Sequence, residues 1–266
     1  MSRIKVRGIE IGYDDVGSGQ AVVLLHGYPF NRSMWREQVE ALSTDYRVIT
    51  PDLRGHGETT VGGSEPATMD GMAEDVAALL DQLKIKRVTL GGLSMGGYVA
   101  LSFCRQFPLR VRALVLADTR PQADTPEARR NREEQAEKIL REGMQSIADD
   151  FLKKVLTART LSQNTETVER VREMIIGTDS QGAANALRGM AARRDHTDFL
   201  PEIIAPTLII VGSEDQLTPP ADAETMRREI RGSRLAILEG ASHLSNIERP
   251  AEFNRALKSF LDELQS

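Results

Sequence analysis

A serine lies among glycines at residues 90–102, where the chain reads LGGLSMGGYVALS. Ser94 is the centre of a G-x-S-x-G pattern, with an apolar run before it and a helical pattern after it. Glycines allow close backbone approach at a strand-to-helix turn, and amide N–H groups at a helix N-terminus favour developing negative charge. The pattern therefore indicates a nucleophile. A glycine-rich loop that binds phosphate through its amides is the alternative.

A serine hydroxyl needs a base, and the chain has only four histidines. His243 follows the last apolar run and precedes the last helical pattern, so we expect it at the same sheet edge as Ser94. His26 is followed at once by a glycine, which fits another role. His56 is expected to hydrogen-bond within its own turn, and His196, among charged neighbours, is expected to be solvated. The sequence favours His243 as the base.

A carboxylate beside a histidine base selects its tautomer and stabilises the imidazolium. Asp215 stands a few residues beyond a buried apolar run and is the favoured candidate. Glu214 is adjacent and could serve instead, while Asp118, at the end of the preceding predicted strand, is the main rival. A structural role for Asp215, capping its own turn, is the alternative interpretation.

Two backbone N–H groups are candidates to hold an oxyanion. One belongs to Met95, the residue after the predicted nucleophile. The other belongs to Tyr28 in the segment HGYP, where Gly27 would let the loop approach closely. Taken alone, the histidine–glycine pair of this segment is equally compatible with a simple strand-ending turn.

The elements that must position these residues follow from the apolar pattern. Most apolar runs are continuous, which is typical of parallel strands buried on both faces. Two more polar segments at the start, separated by Gly8, predict a hairpin at the sheet edge. The predicted strands are residues 4–7, 9–13, 21–25, 47–50, 87–90, 113–116, 207–211 and 235–238.

Helical periodicity fills the intervals between these strands. Ser33 and Asp70 are predicted to cap the first two helices, which end near Leu42 and Leu83. Further helices are predicted at residues 95–107 and from about 250 to 264. This alternation predicts an α/β fold in which a mostly parallel eight-stranded sheet carries helices on both faces.

Residues 121–200 interrupt the alternation. They contain no convincing strand and predict four helices, at residues 126–142, 144–156, 164–176 and 180–194. We interpret this block as a helical cap inserted into a core domain made of residues 1–120 and 201–266.

Composition excludes several classes of protein. The chain has 266 residues and a net charge of −5, which does not favour binding to nucleic acid or an anionic membrane. Cys104 is the only cysteine, so no internal disulfide is expected and a reducing compartment is favoured. Apolar runs are about strand length, and the first residues lack a signal-peptide pattern. We expect a cytoplasmic protein, and a homo-oligomer is compatible with the sequence.

The segments LLHGYPFNRSMW, DLRGHGET, GGLSMGGYVA, VGSEDQLTPP and GASHLSNIERP together resemble the α/β-hydrolase superfamily. The resemblance covers nearly the whole chain outside the predicted cap. It implies Ser94 as nucleophile, Asp215 as acid and His243 as base, in that order along the chain, with the amides of Tyr28 and Met95 holding the oxyanion.

Within that superfamily the chain resembles small bacterial carboxylesterases and 3-oxoadipate enol-lactonases. The resemblance implies hydrolysis of a small-molecule carboxylic ester or lactone through an acyl-enzyme. Lactonases, cofactor-free perhydrolases or haloperoxidases, and slow-turnover signalling receptors are the alternatives on the same fold. No metal or cofactor is expected, since the chain lacks H-E-x-x-H, paired cysteines and a G-x-G-x-x-G after a strand.

The substrate pocket is the least determined feature. Phe30, Trp35, Leu217 and Leu244 flank the predicted catalytic residues in sequence and could form an apolar pocket, although core packing is an equal alternative for each. The cap contributes further candidates, namely Phe151, Leu152 and Met174. Its arginines are expected mainly on a solvated face, but they could hold the carboxylate of an acidic substrate.

Overall fold

An eight-stranded sheet forms the centre of the molecule in the computed structural model, which describes residues 2–265. The strand order is β1-β2-β4-β3-β5-β6-β7-β8. Only the β1–β2 and β2–β4 pairs are antiparallel. The mostly parallel α/β fold predicted from the sequence is therefore confirmed. The strands are β1 (Ser2–Val6), β2 (Ile9–Val16), β3 (Ala21–Leu25), β4 (Arg47–Pro51), β5 (Val88–Leu93), β6 (Val111–Ala117), β7 (Thr207–Gly212) and β8 (Arg234–Leu238).

The burial of the central strands explains why continuous apolar runs in the sequence predict them. Every residue of β5 and of β7 is buried, whereas β1, at one edge of the sheet, is mostly exposed. Central parallel strands need apolar side chains on both faces, which removes the alternation seen in half-exposed strands. Their carboxyl ends lie along one edge, so the loops after β3, β5, β6, β7 and β8 emerge together.

Eleven α-helices lie within residues 2–265. Two helix starts differ from the prediction. Thr68, with extended backbone, caps the second helix by accepting a bond from Gly71 N–H at 3.0 Å, which leaves Asp70 inside the first turn. Asn31 caps a 3₁₀ turn that precedes the first helix, so Ser33 lies within that turn. The helices are α1 (Arg36–Leu42), α2 (Met69–Gln82), α3 (Met95–Gln106), α4 (Pro126–Glu142), α5 (Gln145–Val155), α6 (Ala158–Gln163), α7 (Thr165–Ile176), α8 (Ser180–Ala191), α9 (Pro220–Glu229), α10 (Ser245–Glu248) and α11 (Pro250–Glu263).

Five helices, α4 to α8, connect β6 to β7, where four were predicted. The additional one is α6, a six-residue helix capped by the Thr157 hydroxyl, which is too short to show a clear period. Glu248 of α10 accepts bonds from the Thr157 N–H at 2.9 Å and from its hydroxyl at 2.8 Å. Arg170 of α7 pairs with Glu37 of α1 at 3.0 Å. These contacts fix the inserted helices to the sheet-bearing part of the chain.

One close backbone approach also joins α8 to the loop after β4. A Cβ added to Gly182 would lie 2.0 Å from the carbonyl oxygen of Gly55, and Gly55 has φ +75°. No side chain larger than hydrogen fits at this crossing unless the two segments separate. The absence of side chains here brings the inserted helices against the sheet edge.

His26 joins the loops that follow β3 and β4. Its Nε2 accepts a bond from Leu53 N–H at 2.8 Å, so Nδ1 carries the proton and donates to Gly27 O at 2.9 Å. Both ring nitrogens are thus satisfied in the neutral form. Burial lowers the pKa of His26 to about 4 and, with the adjacent His26, lowers that of His56 to about 3.

Gly182→Ala should destabilise the protein by about 1–3 kcal/mol, because the new methyl group overlaps the Gly55 carbonyl. Urea unfolding followed by circular dichroism measures the effect. In an open helical position the same change would increase stability by up to about 1 kcal/mol. An unchanged or higher free energy of unfolding would therefore contradict the close approach.

The free energy of unfolding should fall between pH 7.5 and pH 5. In the unfolded chain His26 and His56 have the ordinary pKa of 6.5, so they bind protons as the pH falls towards 5. In the folded protein their pKa values are about 4 and about 3, so both stay unprotonated over this range. Acidification therefore favours the unfolded state. Each histidine should account for about 2 kcal/mol of the loss at pH 5. His56→Gln should show a correspondingly smaller fall in urea unfolding at the two pH values. An equal fall in variant and wild type would show that His56 protonates freely in the folded state.

Candidate active site

Ser94 occupies a strained turn between β5 and α3, with φ +54° and ψ −115°. The glycines beside it leave no room for a side chain. A Cβ on Gly92 would lie 2.1 Å from Gly96 O, and one on Gly96 would lie 2.2 Å from Leu25 O. The G-x-S-x-G pattern is thus required by packing, since the start of α3 lies directly against the end of β3.

The segment after β6 holds the backbone of Ser94. Its N–H donates to Ala117 O at 3.0 Å, and its carbonyl accepts from the Thr119 hydroxyl at 2.8 Å. Strain of this kind persists only where the surroundings impose it. The side chain lies on the wall of a cavity of about 160 Å³ that is also lined by His243.

His243 follows β8, immediately before α10, and lies 2.8 Å from Asp215 through Nδ1 and Oδ2. Both residues are buried. A carboxylate can only accept, so Nδ1 carries the proton and Nε2 keeps its lone pair. The structure therefore brings together Ser94, Asp215 and His243 from loops after three different strands.

Asp215 is held in its charged form by its surroundings. Thr218 donates to Oδ2 through its hydroxyl at 2.7 Å and to Oδ1 through its N–H at 3.0 Å, and Leu217 N–H donates to Oδ1 at 2.8 Å. Burial alone would raise the pKa of Asp215, but His243 and these bonds keep it below its usual value. The carboxylate is available to stabilise a positive imidazole.

The rival carboxyl group, Asp118, lies in a different setting. Its Oδ1 accepts from Gly212 N–H at 2.9 Å, and its Oδ2 bonds to the Ser245 hydroxyl. Burial, together with the nearby Asp215 charge, raises the pKa of Asp118 well above its usual value. Asp118 therefore supports the loops of the site without reaching His243, and the side chain of Glu214 is exposed.

The loop that contains Tyr28 passes close to Ser94. A Cβ on Gly27 would lie 3.3 Å from the Ser94 Cβ. Within residues 2–265, the backbone N–H groups of Tyr28 and Met95 have no acceptor. The cavity wall includes Tyr28, and Met95 begins α3 directly after Ser94. Two unengaged amides thus flank the serine.

The remaining histidines have other surroundings. His56 Nδ1 donates to Arg54 O at 3.0 Å, which confirms the turn bond expected from the sequence. His196 is buried, contrary to the expectation of a solvated side chain. Its N–H bonds to Pro121 O at 2.9 Å and its ring packs on Phe199. Burial, together with the nearby charge of Arg105, lowers the pKa of His196 to about 4.

Of the four expected pocket residues, only Leu217 lines the cavity. The side chains of Phe30, Trp35 and Leu244 are almost completely inaccessible and belong to the core. Trp35, for example, packs on Phe253 of α11 with ring centroids 5.9 Å apart. These residues are adjacent in sequence to the site, but their side chains are buried in the core and do not line the cavity. Of the cap candidates, Phe151 lines the cavity, whereas Leu152 and Met174 do not.

Several cavity residues were missed in the sequence. Tyr98 lies four positions after Ser94, one helical turn along α3, and Thr218 lies three positions after Asp215; both spacings were available as signals. Arg120 follows β6 at the carboxyl edge, another available signal. The rest come from the inserted helices, whose approach to the site leaves no local pattern: Arg132, Gln135, Lys154, Leu187 and Met190.

Two features of residues 2–265 bear on metal binding and on membrane insertion. No group of three or more histidine, cysteine, aspartate or glutamate side chains is arranged to hold a metal ion. Across the same residues, no helix combines the length and apolarity that crossing a bilayer requires.

The chain is similar to known proteins that share the fold described above. A family model for the α/β-hydrolase fold matches residues 20–250. A thermophilic esterase from Thermogutta terrifontis, solved with malate bound, is 39% identical over 100% of both chains, with a TM-score of 0.97. The enol-lactonase from Burkholderia xenovorans LB400 is 32% identical, with a TM-score of 0.92, over 98% of this chain and 100% of that one.

A curated relative leads to the same family. The chain is 32% identical to 3-oxoadipate enol-lactonase 1 of Acinetobacter baylyi over 245 residues, which are 92% of this chain and 90% of the relative. With the eight-stranded sheet and the serine turn already described, these matches establish that the chain belongs to the α/β-hydrolase family.

Proposed function

We propose that the protein is a serine hydrolase that cleaves carboxylic esters through an acyl-enzyme. One observation carries the proposal: Ser94 and His243 line the same cavity, and His243 is bonded to Asp215 through Nδ1. This bond leaves Nε2 of His243 as the nitrogen available to Ser94. Likeness to bacterial esterases and enol-lactonases over the whole chain supports the same reaction class.

The first step acylates Ser94. His243 Nε2 takes the hydroxyl proton while Oγ attacks the ester carbonyl carbon, and Asp215 stabilises the imidazolium. The N–H groups of Tyr28 and Met95 bind the oxyanion, and each such donor is worth about 3 kcal/mol of the barrier. The carbon–oxygen bond to the alcohol then breaks, and His243 donates its proton to the departing alkoxide.

The second step releases the acid. His243 takes a proton from water as the water oxygen attacks the acyl carbon. The tetrahedral adduct collapses, the bond to Oγ breaks, and Ser94 recovers its proton from the imidazolium. Both steps use the same donors and the same base, so no additional group is needed.

A lactone is the second candidate substrate, favoured by the enol-lactonase relatives. The same attack opens a cyclic ester, but the alcohol stays attached to the acyl group and leaves with it. Side-by-side kcat/KM values for matched lactones and open-chain esters distinguish the two. Faster ring-opening would assign the protein as a lactonase.

We further propose that residues 121–200 form a cap domain on a core of residues 1–120 and 201–266, of which Met1 and Ser266 lie outside the described residues. The support is that Arg132 and Gln135 of α4, Phe151 of α5 and Leu187 of α8 line the cavity that contains Ser94. Substrate selection would then depend on helices that supply none of the three reacting groups.

Ser94→Ala should lower the kcat for a p-nitrophenyl butyrate substrate by at least about a thousandfold, because the acyl acceptor is lost. It should also abolish covalent labelling by a fluorophosphonate probe, read as a mass increase on the intact protein. The exposed Ser162→Ala variant serves as the control and should keep both. Wild-type turnover or labelling in Ser94→Ala would refute the nucleophile assignment.

Two isosteric substitutions test whether Asp215 or Asp118 is the carboxylate that assists His243. Asp215→Asn should lower kcat about 10³- to 10⁴-fold, because the amide selects the wrong tautomer of His243. Asp118→Asn should retain activity within a few-fold, since its neutral amide can still accept from Gly212 N–H. Steady-state kinetics on a single ester measures both. The opposite ranking would make Asp118 the acid.

A further inference from the structure

A second cavity adjoins the catalytic one. Its volume is about 120 Å³, and it shares Tyr98 and Arg120 with the cavity that contains Ser94. We call it the side chamber. It is enclosed by the start of α2, the α3 helix, the segment after β6 and the end of α8. Its lining residues are Thr68, Met69, Asp70, Tyr98, Arg120, Pro121, Ala192, Arg193, Arg194 and His196.

Positive charge predominates in both spaces. The catalytic cavity is lined by Arg120, Arg132 and Lys154, and its wall contains no aspartate or glutamate. The side chamber adds two further arginines against one carboxylate, Asp70, which accepts a bond from the Ser102 hydroxyl. An anionic group would enter a region of excess positive charge.

Arg120 is the cation that remains available. Arg132 and Arg193 both pair with the buried carboxylate of Asp124. Arg194 and Lys154 are exposed, where water competes for their charge. Arg120 is partly buried, and its Nε is buried without an acceptor among the described residues. Its charge acts on the carboxyl group of Asp222, whose pKa it lowers, but the two side chains form no ion pair within 4 Å in residues 2–265. A guanidinium with a buried, unpaired N–H can still bind a planar carboxylate.

A second polar atom without a partner among the described residues lies on the wall of the same chamber, and it can donate in one of its two tautomers. His196 lies on its wall with 4% of its surface exposed, and Nδ1 has no partner within residues 2–265. The first residues of α2 also line the chamber, but Asp70 already places a carboxylate at this amide end of the helix. The unpartnered ring nitrogen of His196 therefore adds to Arg120, whereas the start of α2 does not.

The two ends of the catalytic cavity are not equivalent. Gln135, Phe151 and Lys154 also line a wider surface groove, so this end opens outward. The side chamber, beyond Tyr98, is the more enclosed end. The alcohol must leave while the acyl group is still bound to Ser94, which places the alcohol towards the groove and the acyl chain towards the side chamber.

We propose that the side chamber, through Arg120, binds the free carboxylate at the far end of the acyl chain. The substrate class is then a monoester of a short dicarboxylic acid. The assignment of the acyl side rests on the proposed acyl-enzyme reaction. The binding of a carboxylate at Arg120 rests on the chamber alone.

A matched pair of esters tests the specificity. Mono-4-nitrophenyl glutarate carries the free carboxylate, and its methyl ester, 4-nitrophenyl methyl glutarate, lacks the charge. Wild-type kcat/KM should favour the charged ester by about tenfold to a hundredfold, the effect of one hydrogen bond between charged groups. A ratio near one, or a preference for the neutral ester, would overturn the proposal while leaving ester hydrolysis intact.

Substitution of Arg120 tests the residue. Arg120→Gln should reduce the charged-to-neutral ratio at least about tenfold, and Arg120→Lys should retain part of it. Because the two kcat/KM values in the ratio are measured on the same protein, a substitution that lowers both equally leaves the ratio unchanged. Arg130→Gln removes the same charge from an exposed position of α4 and should keep the wild-type ratio. Equal ratios in wild type and Arg120→Gln would overturn the assignment.

A binding measurement separates the chamber from the chemistry. Glutarate titrated into the Ser94→Ala protein by calorimetry should bind, and the double variant with Arg120→Gln should raise its Kd at least about tenfold. Binding that depends on Arg120 supports the chamber even if no ester is cleaved. Absence of glutarate binding, or equal Kd values in both proteins, would refute the chamber even if esters are cleaved.

Discussion

The crowding around Ser94 is the constraint on which the site depends. The start of α3 touches the end of β3 so closely that Gly96 has no space for a Cβ, and Gly92 has none against Gly96. Bonds to Ala117 and Thr119 then hold the serine at a positive φ. A residue in this position cannot relax into the helix, so its side chain remains on the cavity wall. The strain is balanced by the packing of buried parallel strands.

Two buried carboxyl groups near this turn show how surroundings divide roles between identical side chains. Asp215 accepts hydrogen bonds from Leu217, Thr218 and His243, and its interactions with His243 and Thr218 lower its pKa despite burial. Asp118 is fully buried beside the Asp215 charge, and its pKa rises. The pKa values of these neighbouring acids shift in opposite directions, so Asp215 is the group held in its charged form beside the histidine, while Asp118 bonds to the segments after β7 and β8. The hydrogen-bond network thus decides which carboxylate faces His243.

The inserted helices add charge and shape to a site whose reacting groups lie on the sheet. Their arginines are unequal: Arg132 and Arg193 are neutralised by Asp124, whereas exposed ones are screened by water. Arg120, whose Nε is buried without an acceptor among the described residues, comes from the segment after β6 and lies at the junction of two cavities. The fold positions the loops that carry Ser94, Asp215 and His243, and our proposal assigns substrate selection to charges outside these three residues.

The sequence by itself determined the sheet, the serine turn and the candidate histidine, because buried strands need unbroken apolar runs and a tight turn needs glycine at particular positions. Both requirements leave a pattern within a few consecutive residues, even where the contact itself, such as that of Gly96 with Leu25, joins distant segments. Tertiary structure alone decided that Asp215 and not Asp118 meets His243, that His196 is buried, and that Phe30, Trp35 and Leu244 face the core. It also decided which inserted residues reach the cavity. Each of these depends on the direction of a side chain relative to segments distant in sequence, which no local spacing encodes.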